Sequence, residues 1–449
     1  MSRTVPSKLV TYGGKPIGIS HKQFDISFNS LLPANSTGGS AFAPNGVNRI
    51  LFSVPSYQNT FLDNARSYLS FNLSLSASDT VLCPSMGTSA LFSRCVIRSG
   101  ANIIEDIQNL DVLNKILVSM GDKDESRLSE GIYTREYGFE NLDVTKAGLI
   151  STKQKSGVEM KYCFKHGILA DHLKQFIPLH SMNMADGRAY QVELYLNDAT
   201  RCLMHVGAGA VPTNPSYSLT NVKYNLCLLK ADQTIISRLS NTNSGKIIIP
   251  FSTYRATQAT LNAQSTVTQI SEVCSDLRSV HTVIVSGDTH VIANLTEEYP
   301  TASAFRGGIL DSQIQVEEYN TQVGNKLIFT EPLQSLTDNN AMMAQTKNAS
   351  FAKGQMLLET LDFQANSIRP AYERALFSMT SSFTYENSDI MSNGISLSSL
   401  PLVMKLKLAS TTGITGKTLL SFASCGYYLV IENGACRLVD SKDPSDFGM

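Results

Sequence analysis

The chain has 449 residues, of which 42% are hydrophobic and 17% are charged, and its formal net charge is −1. A single hydrophobic core rarely serves more than about 250–300 residues, so this length predicts two domains of about 200 residues each. The near-zero charge excludes a long-range attraction of the whole chain for nucleic acid, and no run reaches the roughly 18 apolar residues of a membrane-spanning helix.

The chain opens with a segment that carries little apolar periodicity. Residues 1–45 are rich in Gly, Ser, Asn and Pro, which predicts an arm that neighbouring molecules would order. A first strand covers 47–55. Within the stretch 66–121, a half-buried strand is predicted because four apolar residues alternate with polar ones: Leu69, Phe71, Leu73 and Leu75.

A second apolar run at 91–97 predicts a strand, and the residues after it predict a helix. The helix is expected to begin at Asn102, which could cap it, with Glu105 in the capping-box position and Gly121 just past its end. Its predicted buried face consists of apolar residues at spacings of three and four: Ile103, Ile107, Leu110, Leu113, Leu117 and Met120.

Strand patterns return after a polar stretch at 122–157 and continue to the end of the chain. The Gly-, Ala- and Pro-rich sequence VGAGAVPTNPS at 206–216 predicts a domain boundary. We therefore expect an all-β chain of two tandem antiparallel jelly-roll β-sandwiches with short helices in loops. The predicted divisions are an arm (1–45), a first jelly roll (46–207), a linker (208–216), a second jelly roll (217–438) and a tail (439–449).

No reaction site emerges from the motifs, so we expect no enzyme, no catalytic or metal-binding residues and no cofactor. The G-x-S-x-G and HExxH motifs are absent. The sequence GITGKT at 413–418 lacks the first glycine of a phosphate-binding loop, since residue 411 is Thr411, and it is interpreted as a turn between strands. Other polar groups are interpreted as ordinary loop or surface residues: Lys165, His166, His172 and His180; Arg306, Gly307 and Gly308; Glu317 and Glu318; Asp122, Asp124 and Glu125.

The eight cysteines are scattered at 83, 95, 163, 202, 227, 274, 425 and 436, several of them within apolar strand patterns. No CxxC pair occurs, so neither a zinc ribbon nor a redox pair is predicted. The N-terminus lacks the apolar core of a signal peptide. These features predict reduced, buried thiols in a protein made in a reducing compartment.

The order of these features resembles a known family, the double jelly-roll major capsid proteins of tailless icosahedral DNA viruses, including polinton-like viruses, virophages and nucleocytoplasmic large DNA viruses. The resemblance covers about residues 45–436. Its most specific part is VIRSGANIIEDIQNLDVLNKIL. The other segments are RILFSVPSYQNTFLDNARSYLSFNL, YQVELYLNDATRCL, YNLCLLKADQTIIS, KIIIPFSTYRA, LDSQIQVEEYNTQVGNKLIFTEPLQ, LFSMTSSFTYENSDIMSNGISLSS and LPLVMKLKLAS.

The resemblance implies a homotrimer whose six sandwiches form a pseudo-hexagonal capsomer that tiles the facets of a virion shell. Its implied partners are neighbouring capsomers and penton and minor capsid proteins, without sequence-specific nucleic-acid binding. Some family members enclose an internal membrane, and the sequence leaves that partner open. Loops at 122–157, 286–312 and 409–418 would form towers on the outer surface.

Two other hypotheses for the function remain open. One is a tandem β-sandwich that binds carbohydrate, and the other is a receptor-binding spike or minor capsid protein. The absence of Trp weakens the carbohydrate reading, because sugar-binding modules usually expose aromatic platforms.

Overall fold

A computed structural model of the chain describes residues 8–9, 17–18, 24–36, 41–76, 80–82, 87–120, 159–170, 176–179, 188–205, 214–233, 246–271, 274–286, 293–294, 316–334, 337–349, 379–384, 394–397, 400–408, 414, 417–432 and 435–440. In these ranges no helix has the length and apolarity needed to cross a membrane.

Strands dominate the described part of the chain. In chain order they are β1 (Lys8–Leu9), β2 (Ile17–Gly18), β3 (Phe24–Leu31), β4 (Arg49–Pro55), β5 (Thr60–Leu75), β6 (Thr80–Leu82), β7 (Phe92–Ser99), β8 (Asn102–Gln108), β9 (Glu159–Tyr162), β10 (Phe176–Pro178), β11 (Arg188–Leu196), β12 (Leu203–His205), β13 (Tyr217–Ala231), β14 (Ile247–Thr260), β15 (Ser265–Ile270), β16 (Leu277–Ser286), β17 (Ala293–Asn294), β18 (Val316–Val323), β19 (Lys326–Leu327), β20 (Leu333–Gln334), β21 (Met379–Ser382), β22 (Leu402–Leu408), β23 (Lys417–Glu432) and β24 (Ala435–Val439). The helices are α1 (Leu110–Met120), α2 (Ala199–Cys202) and α3 (Asn339–Ala349), with 3-10 turns at Gly87–Leu91 and Gly167–Leu169.

The first jelly roll consists of two antiparallel sheets packed face to face. One has the order β10-β5-β13-β3, with β9 also paired to β5, and the other has the order β4-β11-β7-β8. Aromatic side chains fill the space between the sheets. The Phe52 and Tyr224 ring centroids lie 5.6 Å apart, and those of Phe71 and Phe92 lie 6.4 Å apart.

The second jelly roll repeats this plan. Its sheets have the orders β14-β23-β16-β21, with β24 also on β23, and β15-β22-β18-β19, with β20 also on β18. Strands β14 and β19 therefore hold the sheet positions that β3 and β8 hold in the first roll. The expected all-β fold of two tandem antiparallel jelly rolls is confirmed.

Sequence alternation and burial agree where one face of a strand meets the core. In β22, Leu402, Met404, Leu406 and Leu408 are buried, whereas Lys405 is exposed. Strand β23 is buried along nearly its whole length, including Ser421 and Ser424, because it lies between β14 and β16.

The predicted helix start at Asn102 is wrong. Residues 102–108 form β8, which pairs with β7 through a turn at Gly100 (φ 57°), and α1 begins only at Leu110. Asn109 between them has φ 52°. The helical spacing of Ile103 misled the prediction, since that side chain is 48% exposed at the sheet surface. Gly121 lies outside the described residues.

The strand after the predicted linker belongs to the first jelly roll. β13 pairs along its length with β5, where Leu219 lies opposite Leu73, and with β3, where Cys227 lies opposite Phe28. Part of the expected N-terminal arm is likewise the strand β3. We propose that the first jelly roll runs from β3 to β13 and that the boundary lies between β13 and β14.

Candidate functional site

The residues singled out as possible chemistry do not converge in the described structure. Lys417, from the GITGKT sequence that was interpreted as a turn, is buried and is the first residue of strand β23. Glu317 on β18 accepts a 2.7 Å hydrogen bond from Lys407 Nζ in a surface ion pair. The Arg306–Gly308 segment and the acidic residues at 122, 124 and 125 lie outside the described residues.

Histidines and cysteines form no metal-binding cluster in the ranges that the structure describes. His166 and His281 are buried, and His172 and His180 lie outside those ranges. The described cysteines are free, and most are buried. Cys274 and Cys425 place their Sγ atoms 3.1 Å apart in the core of the second roll. Cys83 lies outside the described residues.

The two jelly rolls meet at a buried junction. We define it as the contact of β8 and the turn Gly167–Leu169 with β14. Glu105 on β8 is central to it. Its Oε1 accepts a hydrogen bond of 3.1 Å from Thr253 Oγ1 on β14 and lies 3.3 Å from His166 Nδ1. Next to it, Asn102 Nδ2 donates to the carbonyl of Cys436 at 2.8 Å. The junction is therefore polar at its centre and joins three strands from two domains.

Burial makes these polar contacts consequential. The side chains of Glu105 and His166 are both 0% exposed. Glu105 Oε2 and His166 Nε2 have no hydrogen-bond partner among the described residues. A buried polar group that loses its hydrogen-bond partner costs about 1–3 kcal/mol. Because a shift of one roll against the other would break these contacts, they hold the two rolls in one relative position.

Gly167 fits this arrangement by lacking a side chain. Its φ is +64°, and a Cβ added there would overlap the Glu105 carboxylate. The glycine thus lets the turn approach β8 closely enough for His166 to reach Glu105.

The two rolls differ sharply in how their corresponding edge strands are covered. In β14, the seven residues from Ile248 to Tyr254 are all buried, because β8 and the 167–169 turn of the first roll pack against this strand. In β3, which holds the same sheet position in the first roll, residues 25–30 are exposed or half-exposed. Phe28 at its centre is 71% exposed, and Leu32 just after it is 67% exposed.

Strand β19 holds in the second roll the sheet position that β8 holds in the first. Both of its residues, Lys326 and Leu327, are exposed, and Leu327 is 40% exposed. Leu400, 44% exposed, packs beside the turn at Gly324 that leads into β19. In the described part of the chain, β3 pairs only with β13 and β19 pairs only with β18, so each leaves a strand edge that can accept a further strand.

The sequence does not predict the junction. Its pattern places His166 in a loose group of histidines and Glu105 at a helix start. The one local signal was Gly167 directly after a histidine at the end of a strand pattern. That signal cannot reveal which distant carboxylate the histidine meets.

Comparison with solved structures gives whole-chain matches. The PBCV-1 virus capsid matches with a TM-score of 0.57 and 11% identity, over 95% of this chain and 99% of that one. The Sputnik virophage structure matches with a TM-score of 0.58 and 9% identity, over 96% and 92%. The mavirus major capsid protein matches with a TM-score of 0.50 and 11% identity, over 99% and 94%.

At these identities the matches establish the fold, and they extend to both jelly rolls because coverage is nearly complete on both sides. No protein-family model matches the sequence. No curated protein matches it either. The chain has the double jelly-roll fold of the capsid proteins of PBCV-1, Sputnik and mavirus.

Proposed function

We propose that this chain is a major capsid protein that self-assembles into a pseudo-hexagonal trimeric capsomer, and that these capsomers tile the facets of an icosahedral DNA-virus shell. The observation that carries the proposal is the whole-chain likeness to viral capsid structures, which includes the pairing of both rolls in one chain. Three chains with two similar rolls each give six similar units around one axis, which suits a hexagonal tile.

The surface supports a structural role. The chain is only 17% charged, and each end of the unit presents exposed apolar side chains that an assembly would cover. Interfaces in obligate assemblies are large and comparatively apolar. We propose no enzymatic activity and no sequence-specific binding of nucleic acid.

The proposed location is the virion shell, after synthesis and assembly in a reducing compartment of the host cell. The free cysteines of the described residues fit such a compartment. The proposed partners are further copies of the chain, neighbouring capsomers, and penton and minor capsid proteins. An internal membrane is a further candidate, and the loops at 122–157, 286–312 and 409–418 remain candidates for the outer towers.

The test is the mass of the purified protein. Size-exclusion chromatography with light scattering should give a particle near three times the chain mass of 48.9 kDa. Electron micrographs of that particle should have hexagonal outlines. A stable monomer that binds a glycan would contradict the proposal and favour the carbohydrate-binding reading.

A further inference from the structure

Two cysteine side chains meet in the core of the second jelly roll. Cys274 lies just before strand β16, and Cys425 lies in the middle of strand β23. Their Sγ atoms are 3.1 Å apart, and both residues are 0% exposed. Because a disulfide bond is about 2.05 Å long, the two sulfur atoms need to approach by only about 1 Å to be bonded.

The backbone on both sides of this contact is held by hydrogen bonds. The carbonyl of Cys274 accepts a hydrogen bond of 2.8 Å from Leu397 N. The carbonyl of Asp276 accepts one of 2.8 Å from Gly426 N, so the chain after Cys274 runs beside the residue that follows Cys425. The two thiols are therefore held close together by the fold, which favours a reaction between them over reactions with other thiols.

We propose that Cys274 and Cys425 are an oxidation site, at which a peroxide converts the two thiols into an intrachain disulfide bond after the protein leaves the reducing compartment where it is made. The change of compartment rests on the proposed function, because a shell protein leaves the host cell with its particle. The chemistry itself depends only on the thiol pair.

The reaction balances with hydrogen peroxide as the oxidant. The thiolate of one cysteine attacks a peroxide oxygen, the O–O bond breaks, and the products are a sulfenic acid and a hydroxide that takes up the thiol proton to become water. The second thiolate attacks the sulfur of the sulfenic acid, forms the S–S bond and displaces the hydroxyl group, which leaves with the second thiol proton as water. Two sulfur atoms are oxidised, and both peroxide oxygens are reduced.

Burial affects both the formation and the survival of the bond. The half-buried Asp440 accepts a hydrogen bond of 3.0 Å from Ser275 N, directly beside Cys274. Separation of these two residues by local opening gives a small, neutral oxidant a path to the thiols. Once formed, the buried disulfide is shielded from reducing agents, because exposed bonds are the ones that are reduced readily.

The position of the bond makes it a covalent link between the two sheets of the second roll. Cys274 lies in the connection from β15 to β16, and these strands belong to different sheets. The bond would tie this connection to β23 and close a loop of about 150 residues, and the stabilisation expected from a disulfide increases with loop length. Oxidation should therefore stabilise the folded chain without changing its fold.

The experiment treats the reduced, full-length protein with hydrogen peroxide and maps its peptides without reduction. We expect a cross-linked peptide that joins Cys274 to Cys425, and an intact mass lower by the mass of two hydrogen atoms. Cys227→Ser is the matched control, since Cys227 is also 0% exposed but lies on β13 of the first roll. This control should form the same cross-link, whereas Cys274→Ser and Cys425→Ser should not.

Urea unfolding measures the consequence of the bond. We expect the unfolding equilibrium constant of the oxidised wild type to be at least about 30-fold smaller than that of the reduced protein. Peroxide should not produce this change in Cys274→Ser. If the serine variants fail to fold, the peptide map and the unfolding of the wild type alone decide the question.

Three results would overturn the inference. Peroxide that oxidises methionines while both thiols stay reduced would show that the pair is not an oxidation site. Sulfinic or sulfonic acid at either cysteine without a cross-link would show that the thiols do not react with each other. A cross-link that leaves the unfolding constant unchanged would remove its stabilising role.

The oligomeric mass separates this inference from the proposed function. A trimer in which the disulfide does not form would contradict the oxidation site alone. A monomer in which the disulfide forms would contradict the capsomer and the change of compartment, while the reaction of the thiol pair would stand.

Discussion

His281 on β16 is a histidine enclosed entirely by the second jelly roll. Its Nε2 lies 3.1 Å from Ser279 Oγ and its Nδ1 lies 3.2 Å from Thr380 Oγ1. Burial disfavours the imidazolium and lowers the pKa of His281 to about 4. The neutral ring is therefore a structural element of the core, and its protonation opposes folding.

This gives a pH-dependent stability with a defined sign. A histidine whose pKa is lower when folded than when unfolded stabilises the fold above pH 6.5, and that contribution is lost as the pH falls towards 4. At pH 5 the loss is about 2 kcal/mol. We predict that His281→Gln, which can keep both hydrogen bonds, loses about 2 kcal/mol less than wild type between pH 7.5 and pH 5. Urea unfolding at both pH values measures the difference, and equal losses in both proteins would refute the assignment.

The sequence could indicate that His281 was buried but could not supply its partners. The run from Leu277 to Val285 is β-branched and predicts a buried strand, which places a histidine at its centre inside the core. Thr380 comes from a segment about a hundred residues later, and only the folded sheet brings it opposite. The same limit hid the Glu105–His166 contact, because each residue taken alone has an ordinary local interpretation.

At the scale of elements, strands with strict alternation were predictable and chain direction changes were not. The run from Leu402 to Leu408 predicts a strand with the bounds that β22 has, because an apolar residue stands at every second position and two lysines lie between them. The hairpin of β7 and β8 was missed because Gly100 and Asn109, both with positive φ, redirect the chain without altering the apolar pattern. Composition alone predicts a domain boundary at 206–216 and does not indicate that β13, which follows it, pairs with β5 and β3.

The position of β13 yields a prediction about truncated chains. β13 lies between β5 and β3, so its removal leaves the long strand β5 without its main partner. We predict that a chain ending at residue 240 folds cooperatively and that a chain ending at residue 210 does not. Both truncated chains lack β14 and therefore expose the same β8 edge. They differ in whether β13 is present, so each is a control for the other. Circular dichroism melting and limited proteolysis measure the outcome, and equal folding of both would favour the boundary predicted at 208–216.

At the scale of the whole molecule, the two rolls are one packed body. A hydrophobic core cluster extends through both of them, and the buried Glu105–Thr253 hydrogen bond lies where they meet. A substitution that destabilises one roll at the junction should therefore also destabilise the other roll.

Gly167→Ala tests this coupling. A non-glycine residue with positive φ costs about 1–2 kcal/mol, and the added methyl group must also displace the Glu105 carboxylate. We predict a loss of at least about 2 kcal/mol in the free energy of urea unfolding, with faster amide exchange in both β8 and β14. Gly46→Ala is the control, because its Cβ would meet Ala43 only at 3.9 Å. Amide exchange that becomes faster in β8 but not in β14 would show that the two rolls open independently of each other.

The covered strand β14 has a consequence for how an assembly would close. In the proposed capsomer six rolls surround one axis, so neighbouring rolls must be turned from one another by about 60°. Three of those six turns lie inside the chains, at the junction where Glu105 meets Thr253. The buried contact that stabilises a single molecule would then also set half of the angles that close the ring.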